Sequence, residues 1–278
     1  MPIITYWSNN EKSIGQTVST SIVATVTAIE HNYKVLLISA DLNDKVLETC
    51  FGSQETNKEI VKGLVKTNQM GLDSGIQGLL KLVDTNRITP ELIHDYTRII
   101  FKNRLEVLYS PMVAEGQREE KEVLSKMKNV IINAARYYDY VFVDLKKGIK
   151  HNEQLEILDL SDVIVANIDQ SIDAIENVLK REEIQKMQRK MVLNICRNDK
   201  KSKYNSKNLA RKMLKKRGIC EIDYNTLVYD AAQEGGIPEL MLRFRTLKDE
   251  DENSEFALKV KLLIEQILIK YREMRSGM

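Results

Sequence analysis

The chain has 278 residues, a formal charge of +2 and a hydrophobic fraction of 43%. That length suits one large α/β unit or two smaller ones, and the apolar fraction suffices for a sizeable core. Near neutrality excludes a polyelectrolyte, three cysteines (Cys50, Cys196 and Cys220) show no metal-ligand spacing, and no apolar run is long enough to span a bilayer. The start, Met1-Pro2-Ile3-Ile4, lacks a basic region before a long apolar stretch, so a signal peptide is not expected and a reducing, cytoplasmic setting is.

Ile3 to Trp7 is a short apolar run of the kind a buried strand makes, and a polar loop follows to Gly15. Thr17 to Glu30 places Ile22, Val23, Val26 and Ile29 at helical spacing, and Lys34 to Ile38 is a second buried strand ending in Ser39-Ala40-Asp41. Leu42 to Met70 reads as partly helical, and Thr89-Pro90-Glu91 as a helix start with Thr89 as N-cap. Leu105 to Tyr109 is a strand candidate, and Arg118 to Arg136 a charged helix with an apolar stripe. Tyr140 to Asp144, Val163 to Ala166 and Met191 to Asn194 read as strands, with a helix over Ser171 to Arg189 between the last two. Leu209 to Arg217 is a short basic helix, Cys220 to Tyr224 a last strand, and Val228 to Gln233 a helix stopped by Gly235-Gly236. Asn253 onward is a final amphipathic helix, so the expectation is a single unit over 1–278 with 253–278 as its C-terminal helix.

Strands alternating with helices imply an α/β fold, a mostly parallel central sheet with helices on both faces. Ligands of such sheets bind at the carboxyl ends of the strands. Asp41, Asp144 and Asn194 are expected at those ends. The loop before the first helix resembles a P-loop in which Gly15-Gln16-Thr17 stands where Gly-Lys-Thr is usual. Gln16 can donate a hydrogen bond to phosphate but brings no positive charge to phosphoryl transfer. The plainer alternative is a turn at Gly15 and a helix cap at Thr17.

With these residues the chain resembles the ParA/MinD class of P-loop ATPases over nearly its full length. It is most similar there to the divergent TadZ/CpaE-like pilus-assembly proteins. The resemblance rests on Trp7-Ser8 before the loop, on Val35 to Asp41, on Tyr138 to Asp144, and on Tyr224-Asn225 followed by Glu234-Gly235. It implies ATP or ADP with Mg2+ as ligands, cradled by Gly15, Gln16, Thr17 and Val18. Thr17 and Asp144 would hold the metal, Asp41 would position the attacking water, and Asn194 would meet adenine. The family's signature lysine falls on Glu11, with Lys12 adjacent as a substitute. Two family glycines fall on Lys12 and Ser13, an aspartate on Ser39, and the switch II prolines on Lys146 and Lys147. These departures imply nucleotide binding with weak or absent hydrolysis.

Arg197 to Arg217 holds ten cations against Asp199 alone. It suits non-specific DNA, an anionic surface or an acidic partner, or it is a solvated face. The last helix, with Phe256, Val260, Leu263, Ile264, Ile267 and Tyr271 on one face, is expected on the core rather than on a membrane. The resemblance thus implies a homodimeric scaffold in pilus or secretion assembly, cytoplasmic and peripheral at a membrane or cell pole. The alternative is a working ATPase in DNA partitioning or division-site positioning.

Overall fold

The computed structural model describes residues 1–9, 14–52, 76–111, 116–212 and 219–277. Glu11, Lys12 and Ser13, most of the Leu42 to Met70 stretch and the end of the Leu209 to Arg217 helix lie outside the described residues. Eight strands form one sheet: β1 (Ile3–Ser8), β2 (Val35–Ala40), β3 (Arg98–Phe101), β4 (Leu105–Leu108), β5 (Tyr140–Leu145), β6 (Val163–Ile168), β7 (Met191–Asn198) and β8 (Ile219–Asp223). Their order is β3-β4-β2-β5-β1-β6-β7-β8, and every pair is parallel except β3–β4. The mostly parallel sheet covered on both faces is the α/β arrangement expected from the sequence. β1, β2, β5 and β6 are buried along their whole length, which is why each reads as an uninterrupted apolar run.

The helices are α1 (Gln16–Glu30), α2 (Val46–Phe51), α3 (Ile76–Asp84), α4 (Pro90–Asp95), α5 (Gln117–Ala134), α6 (Asn152–Leu160), α7 (Ile172–Lys180), α8 (Glu182–Gln185), α9 (Ser206–Lys212), α10 (Thr226–Glu234), α11 (Ile237–Phe244) and α12 (Ser254–Ser276). Alternate strand residues feed two separate cores, as the two-residue repeat of a strand requires. Tyr6, Leu37 and Phe142 pack with α1, α2, α10, α11 and α12, while Trp7, Ile38 and Val143 pack with α3 to α9. α12 docks through Phe256, Val260, Leu263, Ile264 and Ile267, all buried. Five such side chains are worth on the order of 10 kcal/mol before chain entropy. No described helix is long and apolar enough to cross a membrane.

α1 is the central helix and is buried almost all round, although it is rich in Ser and Thr. Four of its hydroxyls are satisfied within the helix. Thr20, Ser21, Thr25 and Thr27 each donate to the carbonyl four residues back, at 2.7–2.9 Å. Thr89 caps α4 by accepting from the Leu92 amide, with Pro90 in the first turn, as expected.

Four expectations change. β3 is an additional strand, half-exposed at the sheet edge and therefore without a buried run to announce it. The helix expected over Ser171 to Arg189 breaks at Arg181, whose backbone is extended, into α7 and α8. α11 follows directly on Gly235-Gly236. β7 does not stop at Asn194 but runs four residues further, to Asn198.

Candidate functional site

The carboxyl ends of β1, β2 and β5 meet around the N-terminus of α1. Register places Asp144 beside both Tyr6 and Ser39, so residues near the carboxyl ends of three adjacent strands lie side by side. Gly15 sits at the helix start with φ +88, a left-handed backbone that favours glycine. α1 has no side-chain cap there and no acidic residue in its first turn, so its first amides point outward without an intrahelical acceptor.

Gln16 does not reach out of the loop. Its side chain is 1% exposed and turns down into the sheet. Nε2 donates to Asp144 Oδ1 and to Leu145 O, both at 2.7 Å, and lies 3.3 Å from Tyr6 O. An amide nitrogen with two hydrogens and three acceptors is fully used. Thr17 and Val18 remain on the wall of an open cavity of about 220 Å3. The cradle is therefore not filled by Gln16, and that side chain, expected to meet phosphate, is committed elsewhere.

Asp144 is buried and Asp41 nearly so, at 9% exposure. Burial pushes the Asp144 carboxyl up to about 6, with the Thr17 hydroxyl and the Gln16 amide acting against it. Thr17 nevertheless makes no well-formed hydrogen bond to it, and Asp144 Oδ2 has no partner among the described residues. Gln16 Oε1 is orphaned in the same way. Asp41 is pushed up to about 7 by burial and then by the charges of Asp144 and Asp44, opposed by Lys147 and Lys146. A buried carboxyl with an oxygen that has no partner among the described residues, beside a second carboxyl whose ionisation it hinders, suits a divalent cation. Thr17 and Asp144 are the residues that would hold Mg2+, which would neutralise phosphate charge there.

The turn after β5 is fixed by its surroundings. Trp7 Nε1 donates to Gly148 O at 3.0 Å, and the Gly148 amide donates to Ser8 O at 2.7 Å. Lys146 is drawn aside to Glu120 at 3.2 Å, which also meets His151 Nε2 at 3.0 Å. Lys147 alone of the two lysines lines the cavity.

Gly15, Gln16, Thr17, Val18, Asp41 and Asp144 thus come together, and Lys12 lies outside the described residues. Asn194 does not join them. It is fully buried in the middle of β7 beneath α1, where Nδ2 meets Asn167 Oδ1 at 3.0 Å, Cys196 Sγ at 3.3 Å and Ser19 Oγ at 3.5 Å. It has no exposed surface, so the expected contact with adenine is not formed by this arrangement of β7. The far wall of the cavity is built instead by Arg197, Asp223, Tyr224, Asn225 and Tyr229. Of these, sequence reading had singled out Tyr224 and Asn225 only as part of a resemblance, and Arg197 only as one charge in a run. Their signal was position: all lie at or just beyond the carboxyl ends of the parallel strands β7 and β8.

No protein-family model matches the chain, and no curated protein matches it either. Solved structures do. A fold of this kind, with a glycine turn feeding the central helix and acidic strand ends beside it, is that of a P-loop nucleotide-binding protein. More narrowly, it is the fold of the ParA and MinD ATPases. The chain superimposes on a ParA family ATPase from Chlorobium tepidum with a TM-score of 0.65 at 13% identity, covering 96% of this chain and 98% of that one. A putative plasmid partition protein from Borrelia burgdorferi bound to AMPPNP gives 0.63 at 19%, covering 97% and 98%. The septum site-determining protein MinD from Pyrococcus horikoshii, complexed with Mg-ADP, gives 0.63 at 16%, covering 97% and 99%.

Proposed function

We propose that this chain binds an adenine nucleotide with Mg2+ at the α1 N-terminus and hydrolyses it little or not at all. In this reading it acts as a dimeric, ParA/MinD-like scaffold that localises or assembles a pilus or secretion apparatus at the cytoplasmic side of a membrane or pole. The observation that carries the reading is the Gln16 side chain, neutral, buried and tied to Asp144 and Leu145. A group held there cannot follow charge onto a leaving phosphate, which is where electrostatic catalysis acts. Binding is supported by the open cavity beside Gly15 and by the nucleotides held in two proteins of the same fold. Thr17 and Asp144 are assigned to the metal, and Gly15 to Val18 to phosphate. Asp41 is assigned to the attacking water in whatever turnover persists.

Titration calorimetry with ADP and ATP, run beside a phosphate-release assay, tests this. Saturable binding with release no faster than a protein-free blank is expected. Release that disappears in Asp41→Ala would replace the scaffold with a working ATPase. That second reading, DNA partitioning, is favoured by one feature. Lys201, Lys203, Lys207 and Arg211 are exposed, while Lys200 is drawn to Glu255 and Asp223. Retention on duplex DNA that falls steeply with salt and is lost in Lys201→Glu/Lys203→Glu/Lys207→Glu would support it.

A further inference from the structure

We propose that Arg197 supplies the phosphate-binding cation that the loop itself lacks, delivered from β7 across the top of Gly15. This rests on the nucleotide reading above and assigns the charge of that site.

Arg197 is the penultimate residue of β7, at a bulge where the register with β8 shifts between Ile195 and Asn198. Its φ is +55, a left-handed conformation that is unusual for a long side chain away from glycine, asparagine or aspartate. Such outliers persist where the surroundings hold them and concentrate at ligand sites. The effect of this one is to take the side chain out of the ladder and lay it over the loop. Its Nε lies 3.0 Å, and its Cγ 3.3 Å, from the point a Cβ on Gly15 would occupy. The stem therefore packs on the glycine, and the guanidinium reaches the cavity wall shared by Gly15, Gln16, Thr17 and Lys147.

Nothing among the described residues pairs with this guanidinium, although carboxylates lie close by in the fold. Asp223 and Glu221 are taken by Lys259 at 2.8 Å each, and Glu255 by Lys200 at 2.5 Å. Arg197 is exposed, so water solvates its charge, and the positive end of α1 repels it only weakly. The two become complementary once an anion sits between them, held by outward amides on one side and a planar, two-pronged donor on the other. Gln16 and Arg197 then form an exchange: the loop position is neutral, and the charge arrives from another strand. The rest of the cavity fits the remainder of such a ligand, since Ile222, Tyr224, Val228 and Tyr229 form an apolar wall suited to a base and sugar. The ligand class is a nucleoside di- or triphosphate, with its phosphates at Arg197.

The test compares ADP with adenosine, which lacks the phosphates, in wild type, Arg197→Gly and Arg197→Lys, by calorimetric titration in low salt. Arg197→Gly is chosen because glycine accepts φ +55, so it removes the side chain without forcing the backbone. A thermal melt no lower than wild type is expected. ADP affinity should fall by about 10- to 100-fold in Arg197→Gly, in line with loss of a charge-assisted pair. It should recover in part in Arg197→Lys, and adenosine affinity should stay within about twofold. Equal ADP binding by wild type and Arg197→Gly would overturn the assignment of Arg197 while leaving the nucleotide site intact. Equal losses for ADP and adenosine would overturn it too, because Arg197 would then be a wall and not a charge. A wild type that bound neither compound would overturn both this and the nucleotide reading.

Discussion

Replacing Gln16 with glutamate keeps the side-chain shape and exchanges the amide nitrogen for an oxygen. In the native protein that nitrogen lies 2.7 Å from both Asp144 Oδ1 and Leu145 O, and both are acceptors. Two ionised carboxylates at that separation repel by about 6 kcal/mol even with an effective dielectric of ~20. The folded chain would instead hold a proton between them. At about pH 7.5 that proton costs ~4 kcal/mol, from roughly 1.36 kcal/mol for each pH unit above a solution pKa of about 4.3. Loss of the donor to Leu145 O adds about 1 kcal/mol. Gln16→Glu is therefore expected to be about 5 kcal/mol less stable than wild type at that pH.

The sign of the pH effect follows from proton counting. The folded variant holds a proton that the unfolded chain gives up above about pH 4.3, so its stability falls as pH rises and returns as pH drops. At about pH 5 the proton term shrinks to ~1 kcal/mol and the total deficit to ~2 kcal/mol. Urea denaturation of both proteins at the two pH values, followed by far-ultraviolet circular dichroism, reads the difference directly. A deficit under about 1 kcal/mol at the higher pH, or one that did not change with pH, would refute the engagement of Gln16 with Asp144.

Because Asp41 titrates near 7 and Asp144 near 6, both above the solution value, wild type should gain stability as pH falls from about 8 to 5, and Asp41→Asn should flatten that rise. For the same reason Mg-ADP binding should release about one proton near pH 6 and almost none near pH 8, measured by calorimetry in buffers of different ionisation enthalpy. Gly15→Ala places a Cβ 3.0 Å from Arg197 Nε at φ +88, so a loss of about 1–2 kcal/mol in urea melts is expected together with weaker nucleotide binding. At the opposite edge of the sheet, buried Glu106 meets His94 and Thr97 at 2.9 Å and the Tyr138 hydroxyl. Glu106→Ala should cost about 3–5 kcal/mol in the same assay while leaving ADP affinity unchanged.

Much of the sheet was legible because its strands are buried on both faces. β1, β2, β5 and β6 left continuous apolar runs with a polar residue at the end, and Asp41 and Asp144 were found by that rule. The rule failed at Asn194 for a physical reason. A polar residue inside a buried strand looks like a strand end when its partner lies one strand away, and register sets Asn194 opposite Asn167. Their bond at 3.0 Å is lateral, between segments far apart in sequence, and no local pattern encodes it. The same error hid Arg197, which became a site candidate only once β7 was seen to end at Asn198. Lys146 illustrates the converse: adjacency to Asp144 put it near the site, but Glu120 on α5 draws it away.

The charge balance around Asp144 connects these observations. A lysine at position 16 would give that carboxylate a permanent counter-ion, and the pair could stay ionised at any physiological pH. The amide of Gln16 offers hydrogen bonds without charge, so burial raises Asp144 and Asp41 towards neutrality, with Lys147 acting against it at both. A proton and a divalent cation would then compete for the same carboxylate oxygens. Arg197 stands on the other side of Gly15, beyond the bonds that hold Gln16. On the proposed reading, cation binding at the carboxylates and phosphate binding at the loop would fall to separate groups on separate strands. In the proposed reading, that separation is what lets the site hold a nucleotide without cleaving it.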